Sequence, residues 1–206
     1  MKTRRAIILP LALLICLVLA IQVAAVDTSV VLSSQNLTVG GKKVDCEKYN
    51  INGSNYFKLR DLAYLLNGTD SQFAVGYDEG TSTVTITTGQ SYKSNGSELV
   101  TGIDNSATAK TTNQTILING TQHSELTVYN IGGSNFFQLR ELGNVLGFGV
   151  DYNQYSNTAI VWDKTTAQLL QEALEFVRQS DPDAYLDEYG NMHTKNANNA
   201  MHVKIN

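Results

Sequence analysis

An 18-residue stretch occurs twice in this chain. Residues 49–66 begin Tyr49-Asn50-Ile51-Asn52-Gly53-Ser54-Asn55, and residues 129–146 begin Tyr129-Asn130-Ile131-Gly132-Gly133-Ser134-Asn135; the two align with 11 identities in 18 columns. That is far above chance, so the chain is an internal duplication. Any fold read for one copy must also serve the other.

Around the matched block both copies carry the same order of signals. Leu37-Thr38-Val39, Gly40-Gly41 and Lys42-Lys43-Val44 read as a hairpin, with Ile116-Leu117-Ile118 and Asn119-Gly120 in the second copy. Two residues that tolerate positive φ between β-prone runs are the hairpin signature. A second turn falls at Asn52-Gly53 and Gly132-Gly133. The period then changes: Leu59, Leu62, Ala63, Leu65 and Leu66, like Leu139, Leu142, Val145 and Leu146, lie at helical spacing. Each helix has about two turns and is too short to persist alone, so it must pack on the strands. Asp61 and Glu141 sit in the first turns, where negative charge suits the helix dipole. Phe73–Asp78 aligns with Phe148–Asn153, and Thr83–Thr87 with Thr158–Trp162; the first copy carries five extra residues within 67–72. Each copy therefore reads strand, turn, strand, turn, strand, helix, strand, strand, an α+β unit.

The remaining segments differ in character. Residues 1–25 have a basic start (Lys2, Arg4, Arg5), an apolar run from Ala6 to Ala20 and Val23-Ala24-Ala25, which predicts a signal peptide cleaved after Ala25. The expected organisation is 1–25 signal peptide, 26–88 first repeat, 89–112 linker, 113–163 second repeat, and 164–206 a C-terminal helix with a polar tail. Tyr92 and Leu99-Val100 are the linker residues expected to dock. Thr165 and Gln168 read as a capping box, followed by an apolar stripe of Leu169, Leu170, Ala173, Leu174, Phe176 and Val177 that ends at Asp181-Pro182. Residues 183–206, polar and Asn-rich, are expected to be disordered.

Charge and cysteine narrow the function. Cleavage would lower the net charge from −4 to −7, because Lys2, Arg4 and Arg5 leave. Such a chain lacks the clustered cations that nucleic acid or an anionic membrane demands. Of two cysteines only Cys46 would remain, excluding an internal disulfide and reading as a small buried hydrophobe.

The order of elements, the phrase Gly53-Ser54-Asn55-Tyr56-Phe57-Lys58-Leu59-Arg60-Asp61-Leu62 and the later Val75-Gly76-Tyr77-Asp78 resemble the copper amine oxidase N-terminal-like domain, also called the stalk domain. The resemblance covers about 36–88 and 115–163. It implies two tandem units, each five antiparallel strands twisted around one short helix. It also implies a bacterial, extracytoplasmic setting. In the oxidases this domain is a peripheral stalk, whereas copper and quinone belong to a separate domain with a His-x-His pair. His123, His193 and His202 form no such pair, and Asn55-Tyr56 is followed by Phe57 rather than an acid. The resemblance carries over no catalytic, cofactor or metal residue.

Several residues are candidate sites by type and position. Arg60 and Arg140 occupy matching helix starts and read as contacts within each unit rather than anion clamps. Asp78, Glu79 and Asp151 read as turn and surface acids, since nothing fixes the carboxylate separation that glycoside hydrolysis needs. Asp181, Asp183, Asp187 and Glu188 lack calcium-loop spacing. The sequons at Asn36, Asn52, Asn67, Asn95, Asn113 and Asn119 read as turn chemistry. The aromatics carry more: Tyr155 and Trp162, with Tyr77 and Tyr152, are the candidate ligand-binding residues, because exposed rings stack on sugar faces. The expected function is a non-catalytic secreted or cell-surface protein whose tandem modules bind or space at the bacterial envelope. Its expected partner is cell-wall polysaccharide or another surface protein, with no cofactor. The alternative is an extracellular hydrolase working through Asp/Glu.

Overall fold

A computed structural model of the chain describes residues 28–195; the expected signal segment and residues 196–206 of the expected tail lie outside the described residues. The described residues are mixed α+β, mostly sheet with three α-helices. The first copy comprises β1 (Val30–Leu32), β2 (Asn36–Val39), β3 (Lys42–Val44), β4 (Lys48–Ile51), β5 (Ser54–Lys58), α1 (Leu59–Leu65), β6 (Phe73–Asp78) and β7 (Thr83–Thr88). The connection holds a short 3-10 turn, Ser106–Thr108, and β8 (Lys110–Thr111). The second copy comprises β9 (Thr115–Ile118), β10 (Thr121–Gln122), β11 (Val128–Ile131), β12 (Ser134–Gln138), α2 (Leu139–Leu146), β13 (Gly149–Asn153) and β14 (Thr158–Trp162). After it come α3 (Lys164–Arg178), β15 (Tyr185–Leu186) and β16 (Met192–His193). Gly40-Gly41, Asn52-Gly53, Asn119-Gly120 and Gly132-Gly133 all have positive φ at both central positions, between 50° and 87°. These are the primed turns whose twist matches the flanking strands.

The two copies do not each close a sheet of their own, as the tandem reading expected. One six-stranded sheet runs β1-β4-β5-β12-β11-β8, joining the copies at an antiparallel β5–β12 pair in which Phe57 faces Phe137. The other two large sheets exchange hairpins. The β9–β10 hairpin of the second copy adds to β6–β7 of the first, while β2–β3 of the first adds to β13–β14 of the second. Both additions are parallel, Thr83 facing Thr115 and Thr158 facing Asn36. These are equivalent positions of the duplication, so the whole arrangement is a pseudo-twofold. The physical reason is size: a hairpin of two strands is marginal alone, and each finds a third and fourth strand on the opposite copy.

Both faces of the four central strands of the six-stranded sheet are buried. Phe57 and Phe137 face the larger core with Leu59, Leu62, Leu139, Leu142 and the apolar residues of the exchanged hairpins. The other face holds Tyr49, Ile51, Tyr56, Tyr129, Ile131 and Phe136. There the pseudo-twofold recurs in side chains: Tyr49 meets Phe136 edge-on at 5.1 Å and Tyr129 meets Tyr56 at 5.2 Å.

The connecting segment is docked. Asn105 N–H donates to Tyr49 Oη (3.0 Å), and Thr108 Oγ1 accepts from Gly132 N–H (2.8 Å), placing the 3-10 turn against the second core face. Tyr92 is buried, its N–H donating to Asn67 Oδ1 (2.9 Å); Leu99 is partly buried, whereas Val100 stays exposed. Leu99 N–H donates to Asp61 Oδ1 (3.1 Å), and Lys58 Nζ donates to Ser97 O (2.6 Å). Asp61 is thus covered rather than simply facing the helix dipole. Burial pushes its carboxyl up to about 6, with Leu99 N–H and Lys58 only partly opposing this, and its Oδ2 has no partner among the described residues.

The C-terminal segment departs from expectation at two points. The cap of α3 is Asp163, whose Oδ1 accepts from Thr166 N–H (3.1 Å), not Thr165. Ser71 Oγ accepts from Lys164 N–H (2.7 Å) and Asp70 Oδ2 from Thr165 N–H (2.9 Å). The extra residues of the first copy therefore satisfy amides that a helix start leaves open, and Thr165 is drawn to Asp70. Residues 183–195 are folded, not disordered: β15 and β16 pair around a turn in which the Asp187 carboxylate accepts from Tyr189 N–H and Asn191 N–H.

Two outcomes test this packing. Between pH 4 and 6 Asp61 is ionised in the unfolded chain but protonated when folded, so its contribution to stability falls as pH rises through that window. The loss is about 3 kcal/mol at neutral pH. Asp61→Asn should raise stability at pH 7 relative to pH 4 by about 2 kcal/mol, compared with the unsubstituted chain, in urea unfolding; an unchanged pH dependence would contradict a buried carboxyl. Asp70→Ala should cost about 1 kcal/mol and speed hydrogen exchange at Thr165 ahead of the sheet amides.

Candidate functional site

The edge strand β13 and the C-terminal hairpin face one another across an open cleft of about 850 Å³. Tyr152 lies on β13, 46% exposed, with its hydroxyl donating to Asn157 Oδ1 (3.1 Å). Tyr155 sits in the β13–β14 turn and is 93% exposed. That turn is held by Asn153 Oδ1, which accepts from Tyr155 N–H (2.9 Å) and Ser156 N–H (3.3 Å). Across the cleft Tyr185 is 53% exposed and stacks on His193, ring centroids 4.8 Å apart and planes 9° apart. Asp151, Asp187 and Glu188 also line the space.

The polar groups are partly committed. Burial pushes the Asp187 carboxyl up, but hydrogen bonds from His193, the Asn191 side chain and the N–H groups of Asn191 and Tyr189 outweigh it, and the carboxyl is held below its usual value. His193 Nε2 lies 3.0 Å from Asp187 Oδ2. Glu188 pins the hairpin to the second copy's sheet: Oε2 accepts from Asn153 Nδ2 (2.6 Å), while its backbone O accepts from Thr38 Oγ1 (3.0 Å). The result is a rigid turn presenting aromatic faces above hydrogen-bonding acceptors.

Trp162 takes a different place from Tyr155. It is half-buried, and a Cβ built at Gly190 or Gly41 would lie 3.1 Å or 3.3 Å from its ring. The indole is therefore wedged between the β2–β3 turn and the C-terminal hairpin, where it positions the hairpin instead of offering a face. Tyr77, the counterpart of Tyr152, is 47% exposed on β6 in the other exchanged sheet, where it lines a separate cleft of about 440 Å³. The four aromatics are thus divided: Tyr152 and Tyr155 share a site, Trp162 supports it, and Tyr77 belongs elsewhere.

The remaining candidates are spread through the fold. Asp78 and Asp151 lie on different sheets, and Asp78 Oδ1 accepts from Thr81 N–H within its own turn (3.2 Å). Arg60 lies over the Tyr92 ring, 6.0 Å from its centroid, and donates to its hydroxyl (3.2 Å); Arg140 is exposed. Asp181 is buried and accepts from Lys195 N–H (2.6 Å). His123 Nδ1 contacts Glu125 Oε1 at 2.6 Å. Among the described residues no three His, Cys, Asp or Glu side chains group to hold a metal ion. Cys46 is buried, and that burial pushes its thiol up to about 12.

No protein-family model, curated protein or solved structure matches the chain.

Sequence reasoning missed Tyr185, Asp187, Glu188 and His193, because their segment reads as a polar tail. A local signal was present. Asp187-Glu188-Tyr189-Gly190-Asn191 separates Tyr185-Leu186 from Met192-His193, and Gly190 has φ +81°; an Asp and a Gly between two β-prone pairs is turn chemistry. Gly190→Ala would strain that φ and crowd Trp162, so it should loosen the hairpin and red-shift tryptophan emission. Trp162 is the chain's single tryptophan, and unchanged emission would contradict the wedge.

Proposed function

We propose that this chain is a non-catalytic exported protein of the bacterial cell envelope, built from two stalk-type modules and binding wall polysaccharide through the β13–hairpin cleft. The observation that carries this reading is the grouping of Tyr152, Tyr155 and Tyr185 around one open space, each about half exposed or more. A pyranose ring offers C–H faces that stack on aromatic rings, and equatorial hydroxyls that pair with carboxylate and amide oxygens. Asp151, Gln154 and Glu188 supply such oxygens around the same cleft. The cleft is open at the surface, which suits a segment of a long polymer more than an enclosed small molecule.

The resemblance of both copies to the stalk domain supports an extracytoplasmic setting, as does the signal-like start. In this reading the duplication builds one rigid body, and the C-terminal hairpin adds the binding surface. The chain then needs no catalytic constellation.

Sedimentation with isolated cell-wall sacculi, at low and high salt, tests the proposal. Residues 28–195 with their native flanks should co-sediment, with retention in salt because stacking is not ionic. On sacculi stripped of their anionic polymers, Tyr155→Ala and Tyr185→Ala should each weaken binding by about 0.5–1.5 kcal/mol, while Tyr77→Ala should not. Absence of binding, or equal binding by all three variants, would overturn it.

A further inference from the structure

The second cleft, about 440 Å³, is assembled from three parts of the chain: Arg60 and Tyr77 of the first copy, the linker at Asn95 and Ser97, and Gln114, Asn130 and Asn135 of the second copy. It exists because the copies intertwine. Its volume falls within the range of roughly 300–1,000 Å³ typical of small-molecule sites.

Its chemistry is unlike that of the hairpin cleft. None of the residues lining it is acidic, whereas Lys58 and Arg60 are cationic. Lys58 is already matched, donating to Ser97 O and lying 3.8 Å from Asp61. Arg60 is not. It has no ion pair among the described residues, and one hydrogen bond to Tyr92 Oη uses one of its five donors. The nearby Glu98 carboxylate is turned into its own loop, accepting from Tyr92 Oη–H, Ser94 Oγ–H and the N–H groups of Asn95 and Gly96.

The same cleft is lined by an amide ladder. Asn130 Nδ2 donates to Asn135 Oδ1 (3.1 Å), and Asn135 Nδ2 donates to Gln114 Oε1 (2.7 Å). The ladder fixes the three side chains while leaving Gln114 Nε2 as a donor and Asn130 Oδ1 as an acceptor. Hydroxyls, which both donate and accept, complement such a pair. Tyr77 supplies a half-exposed ring at the mouth.

We infer that this inter-copy cleft is a second binding site, for an anionic saccharide unit: hydroxyls on the Gln114–Asn135–Asn130 ladder, ring against Tyr77, and a carboxylate or phosphate on Arg60. Uronic acids and sugar phosphates share this chemistry. The site is independent of the hairpin cleft, since no residue is common to both.

The test is a titration of the full mature chain, followed by NMR and calorimetry, with glucuronate, glucose 1-phosphate, glucose and inorganic phosphate. Glucuronate or glucose 1-phosphate should shift the side-chain amides of Gln114, Asn130 and Asn135. Whichever of the two binds identifies the anion, and glucose and phosphate should each bind about 10-fold more weakly or less. Arg60→Gln should lower affinity about 10-fold or more. Should that variant lose its fold with the Tyr92 contact, Tyr77→Ala and Gln114→Leu, both at accessible positions, should weaken binding while melting normally. Tyr155→Ala should leave it unchanged, which separates this site from the hairpin cleft. Equal binding of glucose and glucuronate, of phosphate and sugar phosphate, shifts confined to the hairpin cleft, or no shift with any probe would each overturn the assignment.

Discussion

The antiparallel pairing of β5 with β12, Phe57 opposite Phe137, is the contact on which the architecture rests. It sets the two copies head to tail across one sheet, and the remaining exchanges follow. The hairpin preceding each copy's central strands lies beside the last hairpin of the other copy, and both additions have equivalent registers. Phe57 and Phe137, essentially inaccessible, tie the sheet to α1 and α2. Among the described residues the one cysteine, Cys46, is a free buried thiol, so packing must hold this part of the fold. Two copies interleaved bury far more than either would alone, since the fraction of surface buried rises with chain size.

The symmetric part is scaffold; the functional candidates lie where symmetry fails. Asp70 and Ser71, in the five residues' worth of extra chain after α1, meet the start of α3 and satisfy its amides. The linker at 92–99 covers Asp61 and walls the inter-copy cleft. The hairpin after α3 stands beside β13 and has no counterpart beside β6. Tyr77 and Tyr152 are equivalent residues, yet Tyr77 looks onto Arg60 and amides while Tyr152 looks onto carboxylates. One aromatic position was thereby given two opposite electrostatic surroundings.

Element types were largely legible in the sequence, because they depend on local chemistry. Gly40-Gly41 and Asn119-Gly120 announce hairpins through φ, and Leu59–Leu66 announces a helix through its period. Which copy each hairpin would join was not legible. Thr38 and Val39 carry the same alternation whether they pair within their own unit or along β14, and pairing partners at long separation leave no periodic trace. Trp162 reads as an exposed ring for a similar reason: its cover, at Gly41 and Gly190, comes from turns distant in sequence. The tail failed differently. Its composition is polar, but Asp187 converts that polarity into a folded turn by accepting several local N–H groups.

Exchange also determines where ligands can be met. A four-stranded sheet has two edges, and here β6 and β13 are each an edge of their sheet. Edge strands leave backbone groups and flanking side chains uncovered, a liability that proteins blunt with loops, charges or cover. In the second copy Tyr152 on that edge is faced by the C-terminal hairpin, which is fastened by Glu188 and wedged by Trp162. In the first copy Tyr77 on the equivalent edge is faced by the linker and the β11–β12 turn. Each partial cover leaves a cleft beside the strand instead of closing over it. The same feature that protects the edge therefore forms the second wall of a cleft, and the chemistry of each wall differs because the covering segments, unlike the strands, are not duplicated.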